Sequence, residues 1–504
     1  MLAKIHTGSV VGLDGKLIEV EVDAGQGVPK FFMVGLPAKE VEESEDRIKA
    51  AILNAGYNLP DRRITVNLAP ANIRKEGSGY DLPIAIGLLL ADKQIKAKIN
   101  DSIFVGELSL GGKVRAVSGV LSLAIMAREN KFKKIFVPTS NANEARLIDE
   151  LEVYPVNTLT ELIQHLTGGK YIDGKQMSMT TNTTANQCLF DMADIKGQSL
   201  AKRALEIAAA GSHNIIFTGP PGSGKTMLAR TLPSILPQMS KQEMLEITRI
   251  YSVAGMLPPD TPLMMQRPFR KPHHTSSSAA LVGGGKIPRP GEISLSHRGV
   301  LFLDEFPEFS RFALEALRQP LEDGIITVSR VAGSLQFPAA IILVAAMNPC
   351  PCGYATDPDK ECTCSSLKIQ NYQKKISGPL LDRIDLHIEV PRLNYDKLTS
   401  SEGTEKSEKI RERVEKARQI QNKRLIDTSM ITNAEMSAKQ VDMFCRLDEK
   451  AEKIIKQAVN QMNLSARSYH RLLKVARTIA DLDDCEEINQ NHVAEALQFR
   501  TRME

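Results

Sequence analysis

The stretch Asn214–Thr226, NIIFTGPPGSGKT, decides how the rest of the chain is read. It starts with three apolar residues, Ile215, Ile216 and Phe217, the mark of a buried strand. A turn follows (Gly219, Pro220, Pro221, Gly222, Ser223, Gly224), then Lys225 and Thr226, and Met227, Leu228 and Ala229 open a helix. The pattern is G-x-x-x-x-G-K-[ST] between a strand and a helix. Its glycines let backbone N–H groups close around phosphate oxygens, and the new helix turns its positive end toward them. Lys225 suits the β- and γ-phosphates, and the Thr226 hydroxyl suits Mg²⁺. The stretch reads as a nucleoside triphosphate site, with ATP and Mg²⁺ as its ligands.

Outward from it, GVLFLDEF (Gly299–Phe306) is a second buried strand that ends in two carboxylates. Beside a phosphate loop, Asp304 suits Mg²⁺, directly or through water, and Glu305 suits polarisation of an attacking water. A third strand, Ala340–Ala346, leads to Asn348, a polar residue able to orient that water and sense the γ-phosphate. In GPLLDRIDLHIEV (Gly378–Val390), Arg383 precedes an alternating strand pattern; by itself it also fits an ordinary surface ion pair. Ser465–Leu482 reads as a helix with Arg467 near its start. Asp191–Ala210 includes a helix with apolar positions Leu200, Ala204 and Ile207. Four cysteines, Cys350, Cys352, Cys362 and Cys364, are spaced C-x-C-x₉-C-x-C. Four thiolates so close can close a tetrahedral Zn²⁺ site. The tight C-x-C pairs leave an iron–sulfur cluster or free thiols open as well.

With 504 residues the chain exceeds one core and predicts about three domains. Its 42% hydrophobic and 25% charged content is that of a soluble globular protein. A net charge of +4 confines any nucleic-acid surface to local patches. The start MLAKIHTGSVVGLDGK lacks a basic-then-apolar signal, and no apolar run approaches a membrane span of about 18 residues. Seven cysteines, four of them clustered, suit a metal site in a reducing compartment better than a disulfide framework. A cytoplasmic location without a membrane partner is the expectation.

The first third reads as mixed α and β: strands at Leu17–Val22, Arg63–Leu68 and Lys134–Val137, helices at Val41–Ala55 and Pro83–Leu90. From Gly168 the composition turns polar and rich in Thr and Asn, which reads as a linker. The stretch from Thr226 to Asp304 far exceeds one crossover of about 30 residues. Its extra length contains RPFRKPHHTSSSAALVGGGKIPRPGEISLSHRG, where Gly283–Gly285, Pro288 and Pro290 read as an exposed loop interrupting a helix. His273 and His274 fit local hydrogen bonding at a helix start, or a metal or catalytic role. Gly324–Ala340 alternates twice and reads as a hairpin ahead of the third strand, with Arg330 near its tip.

These residues carry three resemblances. KEGSGYDLPIAIG (Lys75–Gly87), GELSLGGKVRAVSG (Gly106–Gly119) and KKIFVPTSNANEA (Lys133–Ala145) resemble the proteolytic domain of Lon-type proteases, a ribosomal S5 domain 2-like α+β fold. Gly79 and Leu123 stand where that family carries its serine and lysine, so the resemblance implies the fold without the peptidase chemistry. Phosphate loop, acidic strand, polar sensor, arginine and late helix together resemble an AAA+ ATPase, a P-loop α/β core with a C-terminal helical lid. That resemblance implies that Arg383 is a finger completing a neighbour's site and Arg467 a second sensor, in a homo-hexameric ring. The helix insertion and hairpin resemble the AAA+ branch holding magnesium-chelatase subunits, minichromosome-maintenance helicases and σ54 activators.

Finally, RPFRKPHHT, PRPGEISLSHRGVLFLDE, NPCPCG, LLDRID and SARSYHR resemble the ComM/YifB family of magnesium-chelatase-like AAA+ proteins over essentially the whole chain. The family implies an ATP-driven motor on single-stranded and branched DNA, supporting branch migration and integration of transforming DNA. Arg330 and Lys286 are the candidate DNA-contacting cations, or else ordinary solvated charges. The alternatives are a chelatase-type remodeller of a protein partner, a Lon-like peptidase and an ATP-binding scaffold. Expected domains are 1–168 (Lon-like), 169–188 (linker), 189–395 (ATPase core) and 396–504 (helical lid).

Overall fold

The computed structural model describes residues 2–174, 190–258, 262–285, 288–330, 333–357, 359–393, 405–428, 430–462 and 464–500. Most of the expected linker, Lys286 and the side chain of Arg330 lie outside the described residues. The chain divides into two compact units. One comprises Met1–Asn182 with Met244–Met265; the other comprises Thr183–Glu243 with Gln266–Glu504. The division assigns Met244–Met265 to the N-terminal unit, whereas the sequence boundaries run the ATPase core unbroken from 189 to 395.

The N-terminal unit is built on a 7-stranded mixed sheet. Its order is Lys30–Val34, Arg63–Ala69, Asp14–Gly25, Leu2–Val11, Ser102–Phe104, Lys134–Pro138, Glu152–Val156. The pairs of Asp14–Gly25 with Leu2–Val11 and with Arg63–Ala69 are antiparallel; the others are parallel. In Asp14–Gly25, Ile18, Val20 and Val22 are fully buried while their neighbours are not, the period of two that one covered face demands. The helix Asp81–Ala91 packs on this face with ten of its eleven residues buried. The expected strands and the helix over 83–90 are present with boundaries moved by a few residues, while the helix expected over 41–55 is interrupted at Glu43 into Lys39–Glu42 and Ser44–Asn54. Gly79 faces Val105 and Val117, and Leu123 is buried in an apolar cluster, so neither predicted dyad position carries nucleophile or base. Ser78 instead donates to Glu107. Ile172, inside the expected linker, is buried in this unit and its N–H donates to His165.

The second unit holds a 5-stranded parallel sheet in the order Phe269–Arg270, Val300–Leu303, Ile342–Met347, Ile215–Thr218, Leu386–Glu389. Val300–Leu303 and Ile342–Met347 are buried at every position, as a sheet covered on both faces requires. The helix Ser199–Gly211 covers it through Ala201, Ala204, Leu205 and Ala208; Leu200, one of its expected apolar positions, is exposed. C-terminal helices Ser407–Arg424, Ala466–Leu482 and Gln490–Gln498 contribute Val414, Ile479 and Val493 to the same apolar cluster as the sheet. Two inserted elements differ in how well they were anticipated. Ile325–Arg330 pairs antiparallel with Gly333–Pro338, the expected hairpin. Gly283–Gly284 pairs with Arg289–Pro290 and Pro290 is buried, so the segment expected as an exposed loop carries a short two-stranded pairing, with Gly285 and Arg289 exposed. A Cβ on Gly283 would lie 2.3 Å from the Arg289 carbonyl oxygen, which is why only glycine fits there.

Candidate nucleotide site

Strand register sets the site. Thr218 pairs with Met347 and Leu303 with Ala345, so the three strands end together. The phosphate loop, Asp304 and Asn348, each just past the end of one of these strands, therefore converge at one edge of the sheet, where open parallel sheets bind ligands. The helix Lys225–Ile235 starts at Gly224 and aims its unpaired N–H groups into that edge. Gly222 and Gly224 hold φ of 80° and 94°, values that a side chain would strain. A loop bent this way turns backbone N–H groups inward, as a phosphate cradle must.

The side chains are already drawn together. Thr226 Oγ1 donates to Asp304 Oδ2 at 3.1 Å. Lys225 Nζ donates to the carbonyls of Gly219 (2.7 Å) and Pro220 (2.8 Å) and to Asn348 Oδ1 (3.3 Å). A hydroxyl beside a carboxylate, and a lysine curled over an anion cradle, fit Mg²⁺ and a polyphosphate chain. Glu305 sits at φ 52°, ψ 44°, a left-handed conformation that non-glycine residues rarely hold and that functional sites maintain at a cost of about 1–3 kcal/mol. It is well exposed and faces His274, whose Nδ1 lies 3.0 Å from Glu305 Oε2.

Burial is the largest influence on Lys225 and pushes its ammonium down to about 8, against the opposing charge of Asp304. A bound polyphosphate favours the charged form, so binding above about pH 8 must take up a proton. Nucleotide affinity is therefore level below that pH and falls as pH rises through it, by up to about tenfold per unit. Titrations of a fluorescent ATP analogue between pH 7 and 9 measure this; level affinity across the range would contradict it.

Sequence reasoning missed Lys271, whose Nζ lies 2.9 Å from Asp304 Oδ2. It follows the short edge strand Phe269–Arg270, whose two residues give too little alternation to be read as a strand. Of the two histidines, His273 makes the local hydrogen bond, 2.8 Å to Thr275, and His274 reaches the site.

Arg383 and Arg467 are not at this edge. Both pair with one carboxylate, Glu322, through its two oxygens. Glu322 lines a cavity of about 100 Å³ with Asn214, Gly299, Ile342 and Asp385, residues at the amino ends of four strands. Strands of four to six residues, at about 3.3 Å each, separate that edge from the phosphate loop by more than an arginine spans. Burial disfavours the Glu322 carboxylate, but hydrogen bonding to Arg383 and the charges of Arg383, Arg467 and Arg471 outweigh it and hold its carboxyl below the usual range. Arg383 is buried, donates to the Pro379 carbonyl at 2.6 Å, and its Nε finds no hydrogen-bond partner among the described residues.

The four cysteines form a further cluster. Cys350 Sγ lies 3.3 Å from Cys352 and 3.6 Å from Cys362, and all four sulfurs lie within 4.8 Å of one another. Among the described residues no helix is long and apolar enough to cross a membrane.

Comparisons with known proteins agree with this layout. Family models described as "Magnesium chelatase, subunit ChlI", "Subunit ChlI of Mg-chelatase" and "Magnesium chelatase, subunit ChlI C-terminal" match residues 191–398, 20–141 and 404–500. The chain is 44% identical to the competence protein ComM of Haemophilus influenzae, over 99% of this chain and 97% of that one. It is 41% identical to the uncharacterized protein YifB of Escherichia coli, over 99% and 97% respectively. A Lon protease of Mycolicibacterium smegmatis is 22% identical over 32% of this chain and 22% of its own length. Identity at this level along the full length leaves one conclusion: the chain belongs to the ComM/YifB family of magnesium-chelatase-like AAA+ proteins.

Proposed function

We propose that the chain is a cytoplasmic ATPase that works as a homo-hexameric ring and drives branch migration of DNA during recombination and integration of transforming DNA. The observation that carries the ATPase reading is the meeting of Lys225, Thr226, Asp304 and Asn348 at one sheet edge. Lys225 binds the β/γ-phosphates, exchanging two backbone carbonyls for phosphate oxygens. Mg²⁺, held by Thr226 and Asp304, neutralises charge on the phosphates when bound. Glu305 polarises the attacking water once it turns from His274, and Asn348 orients that water. The DNA part of the reading rests on likeness to a competence protein and on the hairpin Ile325–Pro338. The N-terminal unit, whose motifs resemble a Lon-type proteolytic domain but whose dyad positions are Gly79 and Leu123, serves as a docking or assembly module.

Arg383 and Arg467 act on a neighbour's nucleotide. Their distance from their own phosphate loop, and an Arg383 Nε with no hydrogen-bond partner among the described residues, favour this, with Glu322 holding both until a neighbouring γ-phosphate takes its place. Cys350, Cys352, Cys362 and Cys364 would hold one Zn²⁺ as a structural ion.

ATP turnover measured without DNA and with single-stranded, duplex or four-way-junction DNA tests the motor reading. Stimulation, strongest with the junction, is expected. A rate indifferent to every DNA would favour a chelatase-type remodeller of a protein partner, the reading that the family descriptions also support. Arg330→Ala with Lys286→Ala should keep basal turnover and lose DNA stimulation, and DNA binding should weaken steeply with salt, because phosphate contacts release counterions. Unchanged junction migration by the double variant would move the DNA contact elsewhere.

A further inference from the structure

The cysteine cluster does not stand apart from the nucleotide site. Cys350 comes two residues after Asn348 and is fully buried at the end of Ile342–Met347. The Gly353 N–H donates to the Cys350 carbonyl at 3.0 Å, closing a tight turn that carries Cys352 around toward Cys362. That turn presses on the phosphate loop. Gly353 has φ 88°, and a Cβ built on it would lie 2.6 Å from Pro221 Cδ and 2.7 Å from Pro221 Cγ. Pro221 precedes Gly222, the first left-handed glycine of the phosphate cradle.

Sulfur separations favour one tetrahedral ion over a multi-iron cluster. Four thiolates at about 2.3 Å from one Zn²⁺ in a tetrahedron stand about 3.8 Å apart. The cluster has 3.3 and 3.6 Å for its close pairs and nothing beyond 4.8 Å. In a [4Fe–4S] cluster each thiolate serves a different iron, and in a [2Fe–2S] cluster each iron takes only two, so the four sulfurs cannot all crowd around one centre and spread further. Among the described residues the segment between Cys350 and Cys364 contains neither helix nor strand. Cys352, Cys362 and Cys364 are only partly buried, so apolar packing alone gives this loop little to fold on.

We propose that Cys350, Cys352, Cys362 and Cys364 bind one Zn²⁺, and that the metal-closed loop buttresses the phosphate loop through Gly353 and Pro221, making nucleotide affinity depend on the metal. The second half rests on the reading of Gly219–Thr226 as the ATP site. Without the metal the loop from Cys350 to Cys364 loses its closure, the turn at Gly353 relaxes, and Pro221 loses its backing. Lys225 and Asn348, joined across the same gap, then lose their fixed spacing.

The test measures metal content and nucleotide binding on the same full-length preparations. Protein purified without added zinc should contain about one zinc per chain by elemental analysis, and little iron. Removal of zinc by a chelator or a thiol reagent, with circular dichroism unchanged, should weaken a fluorescent ATP analogue by tenfold or more, and re-adding Zn²⁺ after chelation should restore it. Cys352→Ser with Cys362→Ser should lose the zinc and the affinity together. Gly353→Ala should keep its zinc and still bind nucleotide less tightly, because the new Cβ drives Pro221 away. Metal-free folded protein, or stoichiometric iron, would overturn the zinc site. Unchanged affinity in zinc-stripped protein would overturn the buttress. A zinc-loaded chain that binds no nucleotide would overturn the reading of Gly219–Thr226, and the buttress with it.

Discussion

Glu305→Gln retains ATP with near-normal affinity and loses hydrolysis by at least about 100-fold, the low end of what a positioned general base contributes. The amide keeps the size and polarity of the side chain and gives up the charge that polarises water. Asp304, Thr226 and Lys225, the groups proposed to hold the nucleotide, are left in place. Binding of a fluorescent ATP analogue and release of phosphate, measured on the same preparation, separate the two effects. Lys225→Ala is the contrasting variant, since it strips the cation from the cradle and weakens binding itself. Hydrolysis at the normal rate by Glu305→Gln would mean that the two acids have been given the wrong roles.

Arg383→Ala binds ATP and loses about 10³-fold or more in turnover, the scale on which an arginine supplied to a transferring phosphoryl group acts. The loss is repaired by mixing. A ring containing Arg383→Ala and Glu305→Gln subunits has interfaces where an intact Glu305 meets an intact Arg383, and those interfaces turn over. The shared carboxylate of Glu322 makes the same prediction for Arg467. If Arg467 serves the neighbour, Arg467→Ala subunits mixed with Glu305→Gln subunits recover activity, while Arg467→Ala mixed with Arg383→Ala does not. A second sensor acting on its own chain's nucleotide reverses both outcomes. Mixed rings that are shown to co-assemble and recover nothing with Arg383→Ala would remove the finger.

The elements read most easily from sequence were those whose signal is local. The phosphate loop, the strand into Asp304 and the hairpin Ile325–Pro338 each carry their pattern within about a dozen residues. The strands Leu2–Val11, Ser102–Phe104 and Glu152–Val156 were not anticipated, and the middle one shows why. Three residues buried on both faces give no alternation to detect, and their pairing is supplied by distant strands. Of the apolar positions in Ser199–Gly211, Ala204 and Ile207 are buried but Leu200 is exposed, and the small neighbour Ala201 is buried instead.

By itself the sequence determined which groups this protein has for handling a nucleotide. A glycine turn, a lysine, a hydroxyl and paired carboxylates are chemistry written in residue type and short spacing, and the family could be named from motifs alone. Four cysteines within one short segment likewise raised the expectation of a metal site. Only the tertiary structure decided which of these groups meet. Register across the parallel sheet brought Asn348 to Lys225 and Thr226 to Asp304, and it put Lys271 and His274 on the two acids. The fold also sent Arg383 and Arg467 to the opposite edge, onto Glu322, and set Gly353 against Pro221. The physical reason is distance along the chain. Contacts between residues tens to hundreds of positions apart depend on strand order and register, which the whole core fixes and no single stretch encodes.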